Sequence, residues 1–402
     1  MTGRLAGLVF LLAVIVTGLI VVSVIDREPS EPRLDLSERS YASLEGWEDD
    51  DHSEALDAFR LSCERLLTLP DDRSLGGRGM AGTVADWRAA CQAVEDVRAD
   101  DRDAARAYFQ TWFRPAAVSN QADDIGQFTG YFTPVLRGSL RHSEAYAVPI
   151  YPLPADYLKA DLGDFRADLE GERIVGRIED GRFAPAQTRA KIEAGALGDS
   201  TQPILWLADP IDAFFMHIQG SGRIRLEDGR VLHVGVEGTN GHTYVSIGRL
   251  MLARGLLEEG EVSAQSIQAW LRDNPDTAGP LMQENPRYVF FRILEAGPLG
   301  AQGVRLTPGR SLAVDPRWVG LGVPVWLDTT INAGGGPDRL RRLLVAQDTG
   351  GAITGVVRGD VYWGAGDDAG EVAGRMNLPG RYHVLLPRTL LQRRAQGESG
   401  GS

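Results

Sequence analysis

The stretch AQDTGGAITGVVRGDVYWGAG, residues 346–366, places two aspartates, Asp348 and Asp360, among glycines, small residues and β-branched residues. The apolar run at 343–345 predicts a buried strand ending near Asp348, and residues 353–362 predict a second strand joined to it by a glycine turn. Both carboxylates would then lie near strand ends in one small sheet, where apolar walls and a second acid raise the pKa of a carboxyl group. The pair suggests a proton donor that works at neutral pH. The alternative is that Asp348 only caps the following turn through its side chain.

The composition is that of an ordinary globular protein. The 402 residues are 43% hydrophobic and 24% charged, which suits about two domains with a full core. The 55 acidic residues outnumber the 42 basic ones and no dense block of Lys or Arg is present, which argues against binding to nucleic acid. The six histidines lack the spacing of metal ligands, so we expect neither a metal nor another cofactor.

The amino-terminal segment predicts export. Residues 5–25 form an uncharged run long enough to cross a bilayer as a helix. No Ala-x-Ala pattern closes the run and no cysteine near its end could accept a lipid, so we expect an uncleaved anchor, with a cleaved signal as the alternative. The chain after Asp26 would then be exported. Residues 27–51 are rich in Pro, Glu, Ser and Asp and predict a flexible tether.

The two cysteines, Cys63 and Cys91, are the only ones in the chain. They do not form a Cys-x-x-Cys pair, which argues against a zinc site or a thioredoxin-like motif. They fall in adjacent predicted helices of an exported chain, where disulfides are permissible. We therefore predict a disulfide between them.

The rest of the chain divides into alternating blocks. Apolar spacing predicts helices from His52 to about residue 117, short strands from 126 to about 236, helices from about 244 to 284, and strands again to residue 388. Within the second block, RLEDGRVLHV carries an Asp-Gly hairpin signal. Glycine turns between short β runs favour a turn-rich β architecture over a helical bundle.

Two hydrolase classes fit the sequence poorly. The Asp-Thr-Gly at 348–350 is typical of an aspartic protease, but the nearest second candidate, at 199–201, lacks both the glycine and the preceding strand. Ser221, in QGSGR, lacks the glycines two residues to either side that shape a nucleophile elbow. Gln219 and Ser221 instead project from a predicted β segment and offer donors and acceptors to sugar hydroxyls and amides, unless the segment is a plain hairpin turn.

Five motifs in order carry a family resemblance: GYFTP (130–134), FFMHIQGSGRI (214–224), GTNGHTYVSIGR (238–249), ENPRYVFF (284–291) and the aspartate stretch already quoted. Together they resemble the membrane-bound lytic murein transglycosylase A family over about residues 126–386. The last stretch resembles its 3D domain, whose three aspartates would be Asp315, Asp348 and Asp360.

The resemblance implies an exported enzyme that cleaves the β-1,4 bond between N-acetylmuramic acid and N-acetylglucosamine in peptidoglycan and leaves a 1,6-anhydro end. The implied fold is mainly β with helices: a double-psi β-barrel domain with an inserted smaller β domain and a groove between them for glycan. By positional match, Asp360 would be the catalytic residue and Asp348 its supporting neighbour. The same match assigns four residues to the groove: Thr129, Thr133, Gln219 and Ser221.

The implied organisation is a membrane anchor or signal at 1–26, a tether at 27–51, barrel at 52–135, insert at 136–245, barrel again at 246–390 and a disordered tail at 391–402. We expect a monomer on the periplasmic side of the envelope, anchored through its amino-terminal segment and partnered by peptidoglycan strands. Relatives in this family are outer-membrane lipoproteins, and this chain departs from them because it lacks a lipid-accepting cysteine.

The chemistry needs only one carboxyl group. An acid protonates the departing oxygen, and attack by the sugar's own 6-hydroxyl then needs only that the same group, now a base, take up a proton. Asp360 would be this acid and then this base. Two alternatives remain open: a two-carboxylate glycoside hydrolase, which would leave a reducing sugar, and a non-catalytic expansin-like glycan-binding protein, which would create no new chain ends.

Overall fold

The computed structural model describes residues 31–169, 172–258, 262–295, 297–332 and 337–398. In this part of the chain the strands are β1 (Leu34–Glu38), β2 (Phe113–Asn120), β3 (Gly126–Thr133), β4 (Val135–Ser139), β5 (Val148–Ile150), β6 (Tyr157–Asp161), β7 (Arg173–Glu179), β8 (Arg182–Pro185), β9 (Leu205–Leu207), β10 (Ser221–Arg225), β11 (Val231–Thr239), β12 (Val289–Leu294), β13 (Ser311–Ala313), β14 (Pro324–Asn332), β15 (Pro337–Asp348), β16 (Arg358–Ala365) and β17 (Asn377–Pro387). The α-helices are α1 (His52–Leu67), α2 (Val84–Ala93), α3 (Arg102–Trp112), α4 (Arg189–Glu193), α5 (Pro210–Gln219), α6 (Ile247–Ala253), α7 (Ala264–Asp273), α8 (Pro275–Gln283), α9 (Asp367–Gly374) and α10 (Arg388–Glu398).

A closed barrel forms the larger sheet. Its strands pair in the order β3, β16, β13, β15, β14 and β17, and β17 pairs back with β3, so that the ring has no free edge. Strands β1 and β2 continue the sheet outward from β17. Together with the second sheet described next, this architecture confirms the predicted fold class, mainly β with helices and an inserted β domain.

The inserted domain lies between β3 and β13 in the chain. One of its sheets has the order β12, β11, β10, β4, β9, β5, and a smaller sheet has the order β6, β7, β8. Because β12 pairs with β11, with Ile293 opposite Val234, the insert extends to Leu294 and does not end at residue 245 as expected. Helices α6 to α8 also pack with α5 in one apolar cluster of the insert. The ENPRYVFF motif therefore closes the insert, although it was predicted to begin the last β block, within the second part of the barrel domain.

Helices α1 to α3 cover the barrel and share its core. Each of α1 and α3 starts at an aspartate whose side chain accepts a hydrogen bond from the first turn, which stabilises the helix start. Phe59 and Phe109 are fully buried between the helices. Cys63 of α1 and Cys91 of α2 form a disulfide with 4.9 Å between their α carbons, which confirms that prediction.

Both predicted polar ends are more ordered than expected. Strand β1 pairs with β2, and Trp47 is 1% exposed with its ring 5.1 Å from that of Trp326. The predicted tether is therefore wrong over 34–50, because a few apolar residues in this polar segment pack on the barrel. Likewise α10 occupies 388–398, where a disordered tail was predicted from residue 391 onward.

The predicted anchor at 5–25 lies outside the described residues. Among the residues that the structure does describe, no helix is both long and apolar enough to span a bilayer.

Candidate active site

The two aspartates occupy different positions in the barrel. Asp360 lies inside β16, whereas Asp348 is the last residue of β15. Strand β13 lies between them, and its Ala313 is the register partner of Asp348 on one side and of Asp360 on the other. Adjacent strands are about 4.8 Å apart, so the two backbones are separated by about 10 Å. The prediction that the two acids lie in directly facing strands joined by a glycine turn is therefore wrong.

Among the described residues, the Asp360 carboxyl group has one hydrogen-bonded partner, Thr129, which is itself bound by an arginine. The Thr129 hydroxyl donates to Asp360 Oδ1 at 2.7 Å, and Arg358 Nη2 donates to Thr129 Oγ1 at 2.9 Å. Because Arg358 occupies a lone pair of that hydroxyl, the Thr129 hydrogen is directed at the carboxyl group. Burial raises the pKa of Asp360 to about 6, with Arg358 and Thr129 opposing the rise and Asp348 adding to it. The carboxyl group can therefore hold a proton close to neutral pH.

Asp348 is surrounded by more donors. Its Oδ1 accepts hydrogen bonds from the backbone N–H of Thr349 at 2.8 Å and of Ala301 at 2.9 Å, and its Oδ2 accepts one from the Tyr131 hydroxyl at 2.7 Å. Burial raises the pKa of Asp348, but all three donors oppose the rise. The bond from Thr349 confirms that Asp348 caps the turn that follows it.

Asp315, the third aspartate of the resemblance, holds the connection between the other two. It is 3% exposed, pairs with Arg317 Nη2 at 2.7 Å and accepts a hydrogen bond from the Gly355 N–H at 2.8 Å. Burial raises the pKa of Asp315, but Arg317 and the backbone donors outweigh burial and hold it below its ordinary value. Asp315 therefore fixes the 349–357 connection as an ionised anchor.

Gln219 and Ser221 lie at a junction between a helix and a strand. Gln219 is the last residue of α5, Gly220 ends the helix in the left-handed region at φ 76°, and Ser221 begins β10. The prediction that both side chains project from one β segment is wrong. The signals for a helix were present, because Asp209 caps the first turn, Pro210 opens it and a glycine closes it.

The four residues assigned to the groove have different surroundings. Gln219 is partly exposed, and its Oε1 accepts a hydrogen bond from the Phe132 N–H at 3.0 Å. Thr129 is also partly exposed beside Asp360. In contrast, Thr133 and Ser221 are 1% and 7% exposed, and their hydroxyls bind each other at 2.9 Å. That buried pair joins the barrel to the inserted sheet.

Sequence reasoning missed Tyr131 and Arg358. Tyr131 lies two residues after Thr129 on β3, and Arg358 lies two residues before Asp360 on β16. Alternate residues of a strand share a face, so the period of two could have identified both. Within the described part of the chain, no group of three His, Cys, Asp or Glu side chains is placed to hold a metal ion.

The chain is similar to known proteins in sequence and in fold. Family models match residues 127–292 as the MltA specific insert domain and residues 310–386 as the 3D domain. A relative from Vibrio cholerae named membrane-bound lytic murein transglycosylase A is 34% identical over 267 residues, which is 64% of each chain and thus less than two thirds of that relative's length.

Two solved structures resemble the fold. A membrane-bound lytic murein transglycosylase from Agrobacterium tumefaciens aligns with a TM-score of 0.80 and 30% identity over 89% of this chain and 99% of that one. Escherichia coli MltA with bound chitohexaose aligns with a TM-score of 0.63 and 25% identity over 90% of this chain and 97% of that one.

Proposed function

The chain belongs to the membrane-bound lytic murein transglycosylase A family, and we propose that it cleaves the β-1,4 bond between N-acetylmuramic acid and N-acetylglucosamine in peptidoglycan without consuming water. The observation that carries the proposal is the Asp360 carboxyl group, whose pKa is raised to about 6 by burial while part of the residue stays accessible. Such a group can be protonated before the reaction and ionised within it.

The reaction requires two proton movements through one carboxyl group. Asp360 donates its proton to the glycosidic oxygen as the bond from that oxygen to the anomeric carbon breaks, which gives an oxocarbenium-like state. The 6-hydroxyl of the muramyl residue then attacks the anomeric carbon and returns its proton to Asp360. The product carries a 1,6-anhydro bond, and the enzyme is regenerated. Tethering of the nucleophile replaces a second catalytic group.

Asp348 would tune this acid without reacting. Its two oxygens already accept three hydrogen bonds, which fix the carboxylate in place. Its negative charge raises the pKa of Asp360 and so favours the protonated form that the first step requires.

The glycan would lie between the barrel and the insert, near Thr129 and Gln219. The Gln219 amide nitrogen has no acceptor among the described residues, so it is available to a sugar hydroxyl or acetamido oxygen. The Escherichia coli relative with bound chitohexaose supports a chain of N-acetylated sugars as ligand. We place the enzyme in the cell envelope, acting as a monomer and held there by its amino-terminal segment.

Mass spectrometry of the soluble products from purified peptidoglycan tests the proposal. We expect muropeptides that are lighter by one water than the hydrolytic products, because the anhydro bond forms within the sugar. Reducing ends would indicate a two-carboxylate hydrolase, and the absence of new ends under conditions of binding would indicate a non-catalytic glycan-binding protein.

A further inference from the structure

Arg287 lies where the insert meets the loop of the candidate active site. It stands just before β12, and its guanidinium is close to Gly351, three residues beyond Asp348 in the chain. A β carbon at Gly351 would lie 2.9 Å from Arg287 Cζ and 3.1 Å from its Nε. A side chain at residue 351 would therefore displace the guanidinium from this position.

The Arg287 guanidinium has no counterion in the part of the chain that the structure describes. Among the described residues, no carboxylate lies within ion-pair distance of it, and its one side-chain hydrogen bond is the 3.3 Å contact from Nη1 to the His242 carbonyl. Its pKa is lowered because protein surrounds it. Two arginines of the same domain differ in this respect, since Arg189 pairs with Glu193 and Arg254 pairs with Glu284.

The two carboxyl groups of the candidate active site do not use this charge. The charged neighbours that set the pKa of Asp360 are Arg358 and Asp348, and the groups that oppose the rise at Asp348 are a tyrosine and two backbone N–H groups. Within the described ranges, Nε and Nη2 of Arg287 therefore have no acceptor, and the residue is partly exposed. Its partial burial desolvates the charge, a cost that a bound anion would relieve.

We propose that Arg287 binds a carboxylate on the lactyl side chain of the muramyl residue. This carboxylate is either that of the lactyl group itself or one of the peptide attached to it. This inference rests on the proposed function, because it assumes that a peptidoglycan strand lies between the barrel and the insert. A guanidinium fork suits a carboxylate, to which it can donate two parallel hydrogen bonds.

A cavity is lined in part by His242, the residue whose carbonyl accepts the hydrogen bond from Arg287. It has a volume of about 350 Å³ and is lined by Ile174, Val175, Phe183, Pro185, Asn240, Gly241 and His242. The polar atoms of Asn240 are already bonded to the Gln187 and Pro286 carbonyls and the Tyr288 N–H. The cavity is therefore largely apolar and is connected to Arg287 through His242. An apolar surface near a cation suits a lactyl or alanyl unit, which carries a methyl group and a carboxylate together.

The test measures binding in an Asp360→Asn background, so that strands are not cleaved during titration. Three ligands are compared: glycan fragments that bear peptides, fragments from which an amidase has removed the peptides to expose lactyl carboxylates, and chitohexaose, which has no carboxylate. We expect Arg287→Gln to weaken binding of one or both carboxylate ligands by about tenfold to a hundredfold, the usual range for a charge-assisted hydrogen bond, and to leave chitohexaose binding unchanged.

The two carboxylate ligands separate the two sources. Weaker binding of peptide-bearing fragments alone would assign the carboxylate to the peptide, and weaker binding of stripped fragments would assign it to the lactyl group. Arg287→Lys keeps the charge without the fork and should fall between the wild type and the glutamine variant. Arg292→Gln, which removes an exposed charge from the same domain, is the matched control.

Equal loss for all three ligands, or no loss for either carboxylate ligand, would overturn the proposal. If Arg287→Gln does not fold, Arg287→Lys and the salt dependence of wild-type binding to the three ligands decide, since only an ionic contact weakens with salt. Product analysis distinguishes a failure of the proposed function from a failure of this inference. If the function fails, the wild-type enzyme creates no anhydro ends even though the binding differences between ligands persist.

Discussion

The interior of β16 and the end of β15 each hold a buried carboxyl group, yet the two differ in what surrounds them. Inside β16 the backbone N–H groups are used by the sheet, so Asp360 accepts a hydrogen bond from one side chain, Thr129. At the end of β15 the chain leaves the sheet, so the backbone N–H of Thr349 is free to bind Asp348. The N–H of Ala301, in the segment between β12 and β13, donates a second hydrogen bond to the same carboxylate. Position within a strand therefore decides how strongly an ionised carboxyl group is stabilised.

This difference suggests that the two acids have different roles. The carboxyl group with fewer donors keeps its proton more readily and suits the acid, whereas the one with three donors suits a fixed negative charge. Arg358 lies beside Asp360 through Thr129, and Tyr131 binds Asp348. Removing the positive charge of Arg358 and removing the negative charge of Asp348 should shift the pKa of Asp360 in opposite directions.

The largest effect should come from Asp360→Asn, which removes the proton donor with little change of shape. We expect turnover of peptidoglycan to fall by about a hundredfold to ten-thousandfold, while binding of chitohexaose is retained. Turnover and ligand titration on the same preparation measure both quantities. Asp368→Asn, at an exposed position nearby, serves as the control. A variant with near wild-type turnover would mean that another group is the acid.

Asp348→Asn should have a smaller effect, of about tenfold to a hundredfold at neutral pH. Loss of the negative charge lowers the pKa of Asp360, so the alkaline limb of kcat/KM, expected near pH 6 in the wild type, should move to lower pH. Activity at acidic pH should therefore survive better than activity at neutral pH. If a folded Asp348→Asn variant is as inactive as Asp360→Asn at every pH, the single-acid mechanism fails and a two-carboxylate hydrolase fits better.

The comparison also predicts an effect on stability. The pKa of Asp360 is raised from 3.8 to about 6 in the folded state, so folding is weakened as pH rises through that interval and remains weakened above it. Asp360→Asn removes this cost and should raise the free energy of unfolding at pH 7 by about 1 to 3 kcal/mol. Denaturant titrations at pH 7 and pH 4 measure it, and the gain should disappear at pH 4. An equal gain at both values would point to packing and not to ionisation.

The smallest effect, a few-fold change at neutral pH, is expected for Arg358→Gln. Loss of the positive charge raises the pKa of Asp360, so the alkaline limb of kcat/KM should move to higher pH, opposite to the shift in Asp348→Asn. In the double variant the two shifts should partly cancel. Arg358→Lys keeps the charge and should restore the wild-type pH profile. A shift of both single variants in the same direction would contradict the assigned roles.

The sequence predicted the barrel strands and the disulfide well, because each rests on a local pattern. The choice of Asp360 and Asp348 as the acids rests on the ordered motifs and stays a prediction. Sequence reasoning failed at β13, whose three residues, Ser311–Ala313, carry no pattern of their own and yet separate β15 from β16. From the local sequence, the simplest prediction is a hairpin in which β15 and β16 pair directly. The observed order, with β13 between them, depends on pairing between segments that are distant in the chain.

The other errors have similar causes. In α5 a run of Phe, Met and Ile fits either a strand or a buried helix, and the capping residues at its ends should have decided the matter. The packing of Trp47 and the pairing of β1 depend on partners elsewhere in the chain, Trp326 and β2. The environment of Asp360, which sets its pKa, also depends on a residue 231 positions away and is not visible in any local window.

That separation bears on the order in which the protein is made. The insert, from β4 to β12, leaves the ribosome complete while the barrel still lacks β13 to β17, so its sheets can form before the barrel closes. Strand β17, which binds β2, β3 and β14, is synthesised after Asp360. A nascent or truncated chain that ends before this strand has the insert but no closed barrel around Asp360. Under the proposed function, the ability to cleave peptidoglycan would therefore arise only once almost the whole chain has been synthesised.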